Sequence, residues 1–197
     1  MRQIEITVRL IEKVEDVIAK LESHGFKKIR EGDVDDIYLA NSTLEIKKEN
    51  ISEILKHSVL LRKFTINDKE VKKITYKNKE LDANGDVIAE QKINLDYEDL
   101  DKAEQLFKCL GLYNLVEVKY HFSTYEKDGK EFSIHEVENL GTVMEYENNE
   151  DFTGKSTEEI KVVKIKMQQE IRDRGISITD EYDVKKALEL IIKKYCL

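Results

Sequence analysis

The chain has 197 residues, of which 38% are charged and 40% hydrophobic, and its formal net charge is −8. These values are typical of a soluble globular protein with one core and exclude an intrinsically disordered chain. The negative charge argues against a nucleic-acid binder, but it permits a small phosphate ligand, which needs only local positive charge. No apolar run is long enough to cross a membrane, and two cysteines form no disulfide framework. We therefore expect a cytoplasmic protein with neither nucleic acid nor membrane as a partner.

The first predicted element is a strand, residues 4–10 (IEITVRL), in which polar and apolar side chains alternate. A helix is predicted next, because apolar residues from Val14 to Leu21 recur at helical spacing, and Gly25 is suited to end it. DDIYLAN has the pattern of a short strand, and residues 52–57 favour a loop or short helix.

The middle of the chain is rich in strand patterns. Two strands, SVLLRKFTI and KEVKKITYKNKEL, come before a hairpin turn predicted at Asn84-Gly85. An amphipathic helix follows, ending near Gly111, and a second hairpin is predicted around Asp128-Gly129.

The last strand is GTVMEYEN, after which the pattern becomes helical. Ser156 and Glu159 form a capping box for one helix, and a final helix is predicted from about Glu181 to Tyr195. Strands in hairpins interrupted by a few helices predict an α+β fold with an antiparallel sheet. We predict one domain, residues 1–197, with strands over about 2–147 and C-terminal helices over 156–195.

Six strands share an unusual feature, a row of polar side chains on one face opposite an apolar row. The polar members are Glu5, Thr7 and Arg9; Arg62; Lys73, Thr75, Lys77 and Lys79; Glu117, Lys119 and His121; Ser133 and His135; Glu145 and Glu147. Each row by itself is explained by a solvated face. Taken together, the rows also fit a barrel with a polar interior, in which basic residues bind phosphates and carboxylates hold Mg²⁺ or Mn²⁺.

The same strands resemble the CYTH superfamily, the triphosphate-tunnel enzymes that include class IV adenylyl cyclases and thiamine triphosphatases. The similar stretches are residues 5–9 (EITVR) for the opening ExExK strand, Asp36 and Tyr38, Arg62, Lys77, Lys119 with His121, and IHEVENLGTVMEYE with Leu140, Gly141, Glu145 and Glu147. Length and the DIYL strand look most like the class IV adenylyl cyclases.

The resemblance implies a closed antiparallel β-barrel, or tunnel, of about eight strands with flanking helices. By resemblance, the triphosphate ligands are Arg9, Arg62, Lys77, Lys119 and His121; the catalytic residues are Glu5, Arg9 and Lys119; and Glu5, Glu145 and Glu147 hold Mg²⁺ or Mn²⁺. The substrate class would be a nucleotide, thiamine triphosphate or polyphosphate, and the resemblance is compatible with a homodimer.

The chain departs from the family pattern at several of these positions. Thr7 replaces the second glutamate of ExExK, Arg9 the lysine, His121 an arginine and His135 an aspartate, and Phe64 stands where a basic residue is common. Three functions follow: a metal-dependent enzyme that cyclises a nucleotide or hydrolyses a triphosphate, a catalytically degenerate nucleotide- or polyphosphate-binding module, and a structural protein whose polar faces are only solvated.

Overall fold

A computed structural model describes residues 4–41, 45–82, 85, 87–148 and 150–197. In that part of the chain there are eight strands and five helices, which confirms the α+β prediction. The strands are Ile4–Arg9 (β1), Lys27–Asn41 (β2), His57–Ile66 (β3), Lys69–Leu81 (β4), Val87–Asp96 (β5), Leu112–Lys127 (β6), Lys130–Val137 (β7) and Gly141–Asn148 (β8). The helices are Val14–Ser23 (α1), Ile51–Lys56 (α2), Leu100–Cys109 (α3), Thr157–Arg172 (α4) and Lys186–Tyr195 (α5).

All eight strands belong to one antiparallel sheet, in the order β1-β8-β7-β6-β2-β3-β4-β5. The hairpin predicted at Asp128-Gly129 is present, and both residues have the positive φ that such a turn requires, 52° and 77°. Asn84 of the other predicted turn lies outside the described residues, although β4 and β5 on either side of it do pair. The strand predicted at DDIYLAN is longer than expected because β2 pairs along its length with β6.

The sheet curls into a half-barrel, and the prediction of a closed barrel is wrong. Its edge strands are β1 and β5, and no ladder of hydrogen bonds joins them within the described residues. The segment 178–184 lies along β1 instead: Thr7 N donates to Tyr182 O (3.0 Å) and Val184 N donates to Thr7 O (2.9 Å). This segment takes up the hydrogen bonds that a closing ladder would need.

The same segment explains where the last helix begins. The predicted start near Glu181 is too early, because Tyr182 and Val184 are bonded to β1 and α5 starts only at Lys186. The Asp183 side chain reaches the opposite edge, where Oδ2 accepts a hydrogen bond from Val87 N of β5 at 2.8 Å.

The helices cover the sheet in three places. Helices α2 and α5 pack against inward-facing apolar residues of β2, β3 and β6; α1 and α4 pack with β1, β7 and β8; and α3 covers β2 and β3 from the other side. The predicted capping box of α4 is present, with Ser156 and Glu159 bonded to each other's backbone N–H. None of the described helices is long and apolar enough to span a membrane.

Candidate functional site

A cavity of about 150 Å³ opens on the inner face of the half-barrel, between the strands and the first turn of α5. Its wall is crowded with charge. The cationic side chains are Arg62, Lys77, Lys79, Lys92, Lys164, Lys185 and Lys186, and the carboxyl side chains are Glu5, Asp36, Glu90, Glu145, Glu147 and Asp183. The cavity is therefore slightly positive in a chain whose net charge is −8.

Three carboxyl groups project into the cavity from one pair of strands. In the β1–β8 ladder Glu5 lies opposite Glu147, and Thr7 lies opposite Glu145. Burial, and then the nearby charge of Glu145, raise the pKa of Glu5 against the opposing effect of Lys92. Such crowded carboxylates need a counter-charge when they are ionised.

Lysines supply that counter-charge. Lys186 Nζ donates to Glu145 Oε1 at 2.6 Å. Burial alone would raise the pKa of Glu145, but His135 and Lys186 beside it outweigh burial, and the pKa is lowered. Lys92 Nζ lies 3.7 Å from the Glu5 carboxylate.

A chain of ion pairs crosses the opening between the two edge strands. Lys92 Nζ lies 3.1 Å from Glu90 Oε1, and Lys77 Nζ lies 3.5 Å from the same oxygen. The Lys77 side chain is only 13% exposed, and burial lowers its pKa to about 8 in spite of Glu90. A buried ammonium that its partners only partly compensate favours an incoming anion.

One cation is held rigidly at the inner end of the cavity. Arg62 donates from Nε and Nη2 to both oxygens of the buried Asp36 carboxylate, because Asp36 of β2 lies opposite Arg62 of β3 in the ladder. Tyr38 and Tyr120 line the cavity nearby. The fork-to-fork geometry fixes the guanidinium plane, so Arg62 is a positioned charge rather than a mobile one.

The cavity brings together five of the eight side chains to which the family resemblance gives a role with phosphate, with metal or in catalysis. Glu5, Arg62, Lys77, Glu145 and Glu147 all line it. Their assignment as ligands of phosphate or metal stays a prediction, but their convergence in one cavity is a property of the fold.

The other three lie elsewhere. Arg9 is on the cavity face of β1, but its Nη2 donates to both carboxylate oxygens of Glu189 on α5 at 2.7 Å. Lys119 is exposed and lies 3.4 Å from Glu117, and His121 is exposed and lies 2.9 Å from Asp33. The roles predicted for these three side chains are untested, and the geometry places none of them on the cavity wall.

Lys119 and His121 lie outside the cavity because β6 turns its apolar side chains inward and its polar side chains to solvent. This central strand turns Val118 and Tyr120 into the cavity and leaves Glu117, Lys119 and His121 in solvent. On β3 and β4 the polar row faces the cavity. The assumption that every polar row faces inward is therefore wrong for β6.

Several cavity residues escape the sequence reasoning. Glu90 and Lys92 share the face of β5 opposite to Ile93 and line the cavity. They form a polar row like those of the other strands, and that pattern could have identified them from the sequence. Lys186 had no such signal, since it reaches the cavity only because α5 docks there.

The carboxylate groups of the cavity are donors of the kind that a divalent cation requires. Carboxylate oxygens are the ligands that Mg²⁺ and Mn²⁺ prefer, and Glu5 and Glu145 lie close enough to affect each other's ionisation. In the described part of the chain, no three acidic, histidine or cysteine side chains converge as a ready-made metal cluster. The donors fit in kind, but Lys186 occupies one oxygen of Glu145.

Comparison with known proteins finds similarity in sequence. A Methanocaldococcus jannaschii protein named putative adenylate cyclase MJ0240 is 28% identical over 150 residues, which cover 76% of this chain and 78% of that protein. No protein-family model matches the chain.

Solved structures share the fold over nearly the whole length. The PH1819 protein of Pyrococcus horikoshii superposes with a TM-score of 0.73 at 22% identity and covers 98% of this chain and 99% of its own. A putative adenylyl cyclase of Hippeastrum, said to reveal a dominant triphosphatase activity, gives a TM-score of 0.59 at 12% identity, with coverage of 98% and 96%. The sequence similarity to the M. jannaschii protein agrees with the resemblance to the CYTH superfamily that the strand motifs indicate, and the solved structures show a shared fold.

Proposed function

We propose that the cavity binds the triphosphate group of a small molecule and that, with Mg²⁺ or Mn²⁺, the protein cleaves a phosphoanhydride bond of it. The observation that carries the proposal is the cavity wall, on which seven cationic side chains converge beside the carboxyl pair of Glu5 and Glu145. A triphosphate needs both, because its charge requires several cations and the metal ion that accompanies it requires oxygen ligands.

In this proposal the residues have separate roles. Arg62, fixed by Asp36, orients one phosphoryl group, and Lys77 and Lys92 bind its neighbours through their ammonium groups. Glu5, Glu145 and Glu147 would hold the divalent cation. When bound, that cation neutralises charge on the phosphate oxygens. Such chemistry depends mainly on positioning and electrostatics.

The names of similar proteins support this substrate class and two reactions within it. The M. jannaschii relative is named as a putative adenylate cyclase, and the Hippeastrum structure is described by a triphosphatase activity. Cyclisation would release pyrophosphate from a nucleotide, whereas hydrolysis would release orthophosphate. Both reactions begin with the triphosphate held as proposed here.

A second candidate is a module that binds the triphosphate without cleaving it. Two observations favour it. Lys186 is bonded to the Glu145 carboxylate, and Thr7 stands where the family pattern has a carboxylate. Binding without turnover under any metal would favour this module.

The test uses thermal unfolding followed by product analysis. The melting temperature is measured with ATP, thiamine triphosphate and tripolyphosphate, each with and without Mn²⁺, since a bound ligand must raise it. We expect a rise with at least one triphosphate that is larger when Mn²⁺ is present, and then cyclic nucleotide or orthophosphate as product. If no triphosphate changes the melting temperature, the proposal is wrong.

A further inference from the structure

Lys186 contacts three different groups in the cavity. Its Nζ donates to Glu145 Oε1 at 2.6 Å and to His135 Nδ1 at 3.0 Å, and it lies 4.4 Å from the centre of the Tyr120 ring. The side chain is 15% exposed. A carboxylate, an imidazole nitrogen and an aromatic face thus hold one ammonium group in place.

His135 accepts a hydrogen bond from Lys186 and lies beside the same carboxylate. Its ring is buried and stacked on Tyr120 with ring centres 4.5 Å apart. Because an ammonium group only donates, Nδ1 accepts from Lys186 Nζ, and the ring proton is then on Nε2, 2.9 Å from Ser133 Oγ. His135 Nδ1 lies 3.6 Å from Glu145 Oε1, against 2.6 Å for Lys186 Nζ. Lys186 is thus the cation in direct contact with Glu145.

This arrangement has a consequence for any metal ion that needs the same carboxylate. An ammonium group and a divalent cation disfavour each other at one carboxylate, because their charges repel and Lys186 already takes one of the two Glu145 oxygens. Lys186 is the first residue of α5, and its side chain is long and flexible. Another anion in the cavity can therefore attract the ammonium group without any movement of the helix.

We propose that Lys186 is an internal counter-ion that competes with the divalent cation for Glu145, so that metal binds tightly only once a phosphate group has drawn Lys186 away. Metal and triphosphate would then bind cooperatively, each raising the affinity for the other by the same factor. The inference rests on the proposed function and adds the order in which its ligands assemble.

The test measures Mn²⁺ binding to the free protein by titration calorimetry, with no phosphate present. Lys186→Met removes the competing charge and keeps an unbranched side chain of nearly the same length, so we expect Mn²⁺ to bind about tenfold more tightly than to the wild type. Lys186→Arg keeps a charge beside Glu145 and should retain the weak affinity. Lys193→Met is the matched control, because Lys193 is on the same helix but bonds Asn139 O, and it should behave as the wild type.

The outcomes separate this inference from the function on which it rests. Equal Mn²⁺ affinity in Lys186→Met and the wild type, in a protein that still binds tripolyphosphate with Mn²⁺, overturns the inference alone. If neither protein binds Mn²⁺ at all, the metal site and the inference both fall. If Lys186→Met fails to fold, the test uses the wild type with and without sulfate, an anion that is a weak ligand of Mn²⁺. Sulfate should draw Lys186 away and tighten Mn²⁺ binding. An unchanged Mn²⁺ affinity overturns the inference.

Discussion

At the scale of single residues, Lys77 decides how the cavity responds to pH. Burial lowers its pKa from 10.5 to about 8, so the free protein loses this ammonium as the pH rises through that value. A bound anion favours the protonated form, so the affinity for an anion falls once the pH exceeds the pKa of the free protein.

We predict that tripolyphosphate affinity falls by about fivefold over the first unit of pH above about 8 because Lys77 deprotonates. In Lys77→Arg, residue 77 stays protonated over this pH range. Its plot of affinity against pH therefore includes the titration of the ligand but not that of residue 77. Calorimetric titrations of both proteins over this pH range measure the difference. Parallel curves would show that Lys77 does not contact the anion.

Lys119 is the residue at which motif and geometry make opposite predictions. The motif assigns it to phosphate, whereas the structure leaves it in solvent 3.4 Å from Glu117. Lys77→Met should weaken tripolyphosphate binding at least about tenfold, since a charge-assisted hydrogen bond contributes about 1.5–3 kcal/mol. Lys119→Met should bind like the wild type. A loss of affinity in Lys119→Met as large as in Lys77→Met would support the motif against the geometry.

At the scale of elements, the sequence locates helices well where their signals are local. Helix α1 runs from Val14 to Ser23 as the apolar spacing predicts, and Gly25 follows it with a φ of 85° that suits glycine. The capping box at α4 is equally local, because Ser156 and Glu159 are three residues apart in one turn.

We predict that Ser156→Ala destabilises the protein by about 1 kcal/mol, the usual cost of losing an N-cap hydrogen bond. Glu159→Gln is the comparison, because glutamine can make the same reciprocal bond to the Ser156 N–H. Urea unfolding monitored by circular dichroism gives both values. An Ser156→Ala protein as stable as the wild type would mean that α4 is held by packing alone.

Elements whose position depends on distant partners are predicted less well. The last helix starts five residues later than its pattern indicates, because Tyr182 and Val184 bond to Thr7, more than 170 positions earlier in the chain. No local propensity carries that information. For the same reason the polar row of β6 gives no hint of which face the sheet turns inward.

At the scale of the whole molecule, the half-barrel is completed by a segment and not by a strand ladder. The segment 178–184 bonds β1 through its backbone and β5 through the Asp183 side chain. The ion pairs from Lys77 through Glu90 and Lys92 to Glu5 span the same opening. The cavity therefore depends on the C-terminal part of the chain for its wall as well as for Lys186.

We predict that Asp183→Ala destabilises the protein by about 1–3 kcal/mol, because it leaves the Val87 N–H without its acceptor. The Val87 amide should also exchange with deuterium faster. Asp180→Ala is the matched control, since Asp180 is fully exposed and pairs with Arg172 at the surface, so its effect should stay below about 0.5 kcal/mol. Equal stabilities for the two variants would show that Asp183 does not hold the edges together.

By itself, the sequence determined the α+β class, the helices with local caps, the Asp128-Gly129 hairpin and the motifs that resemble the CYTH superfamily. These depend on side-chain periodicity and turn chemistry within a few residues of each other. Only the tertiary structure decided that the sheet is a half-barrel, that Lys119 and His121 lie outside the cavity, and that Lys186 lies on Glu145. Those outcomes depend on which strand faces curl inward and where the C-terminal segment docks, and both are set by contacts between residues far apart in the chain.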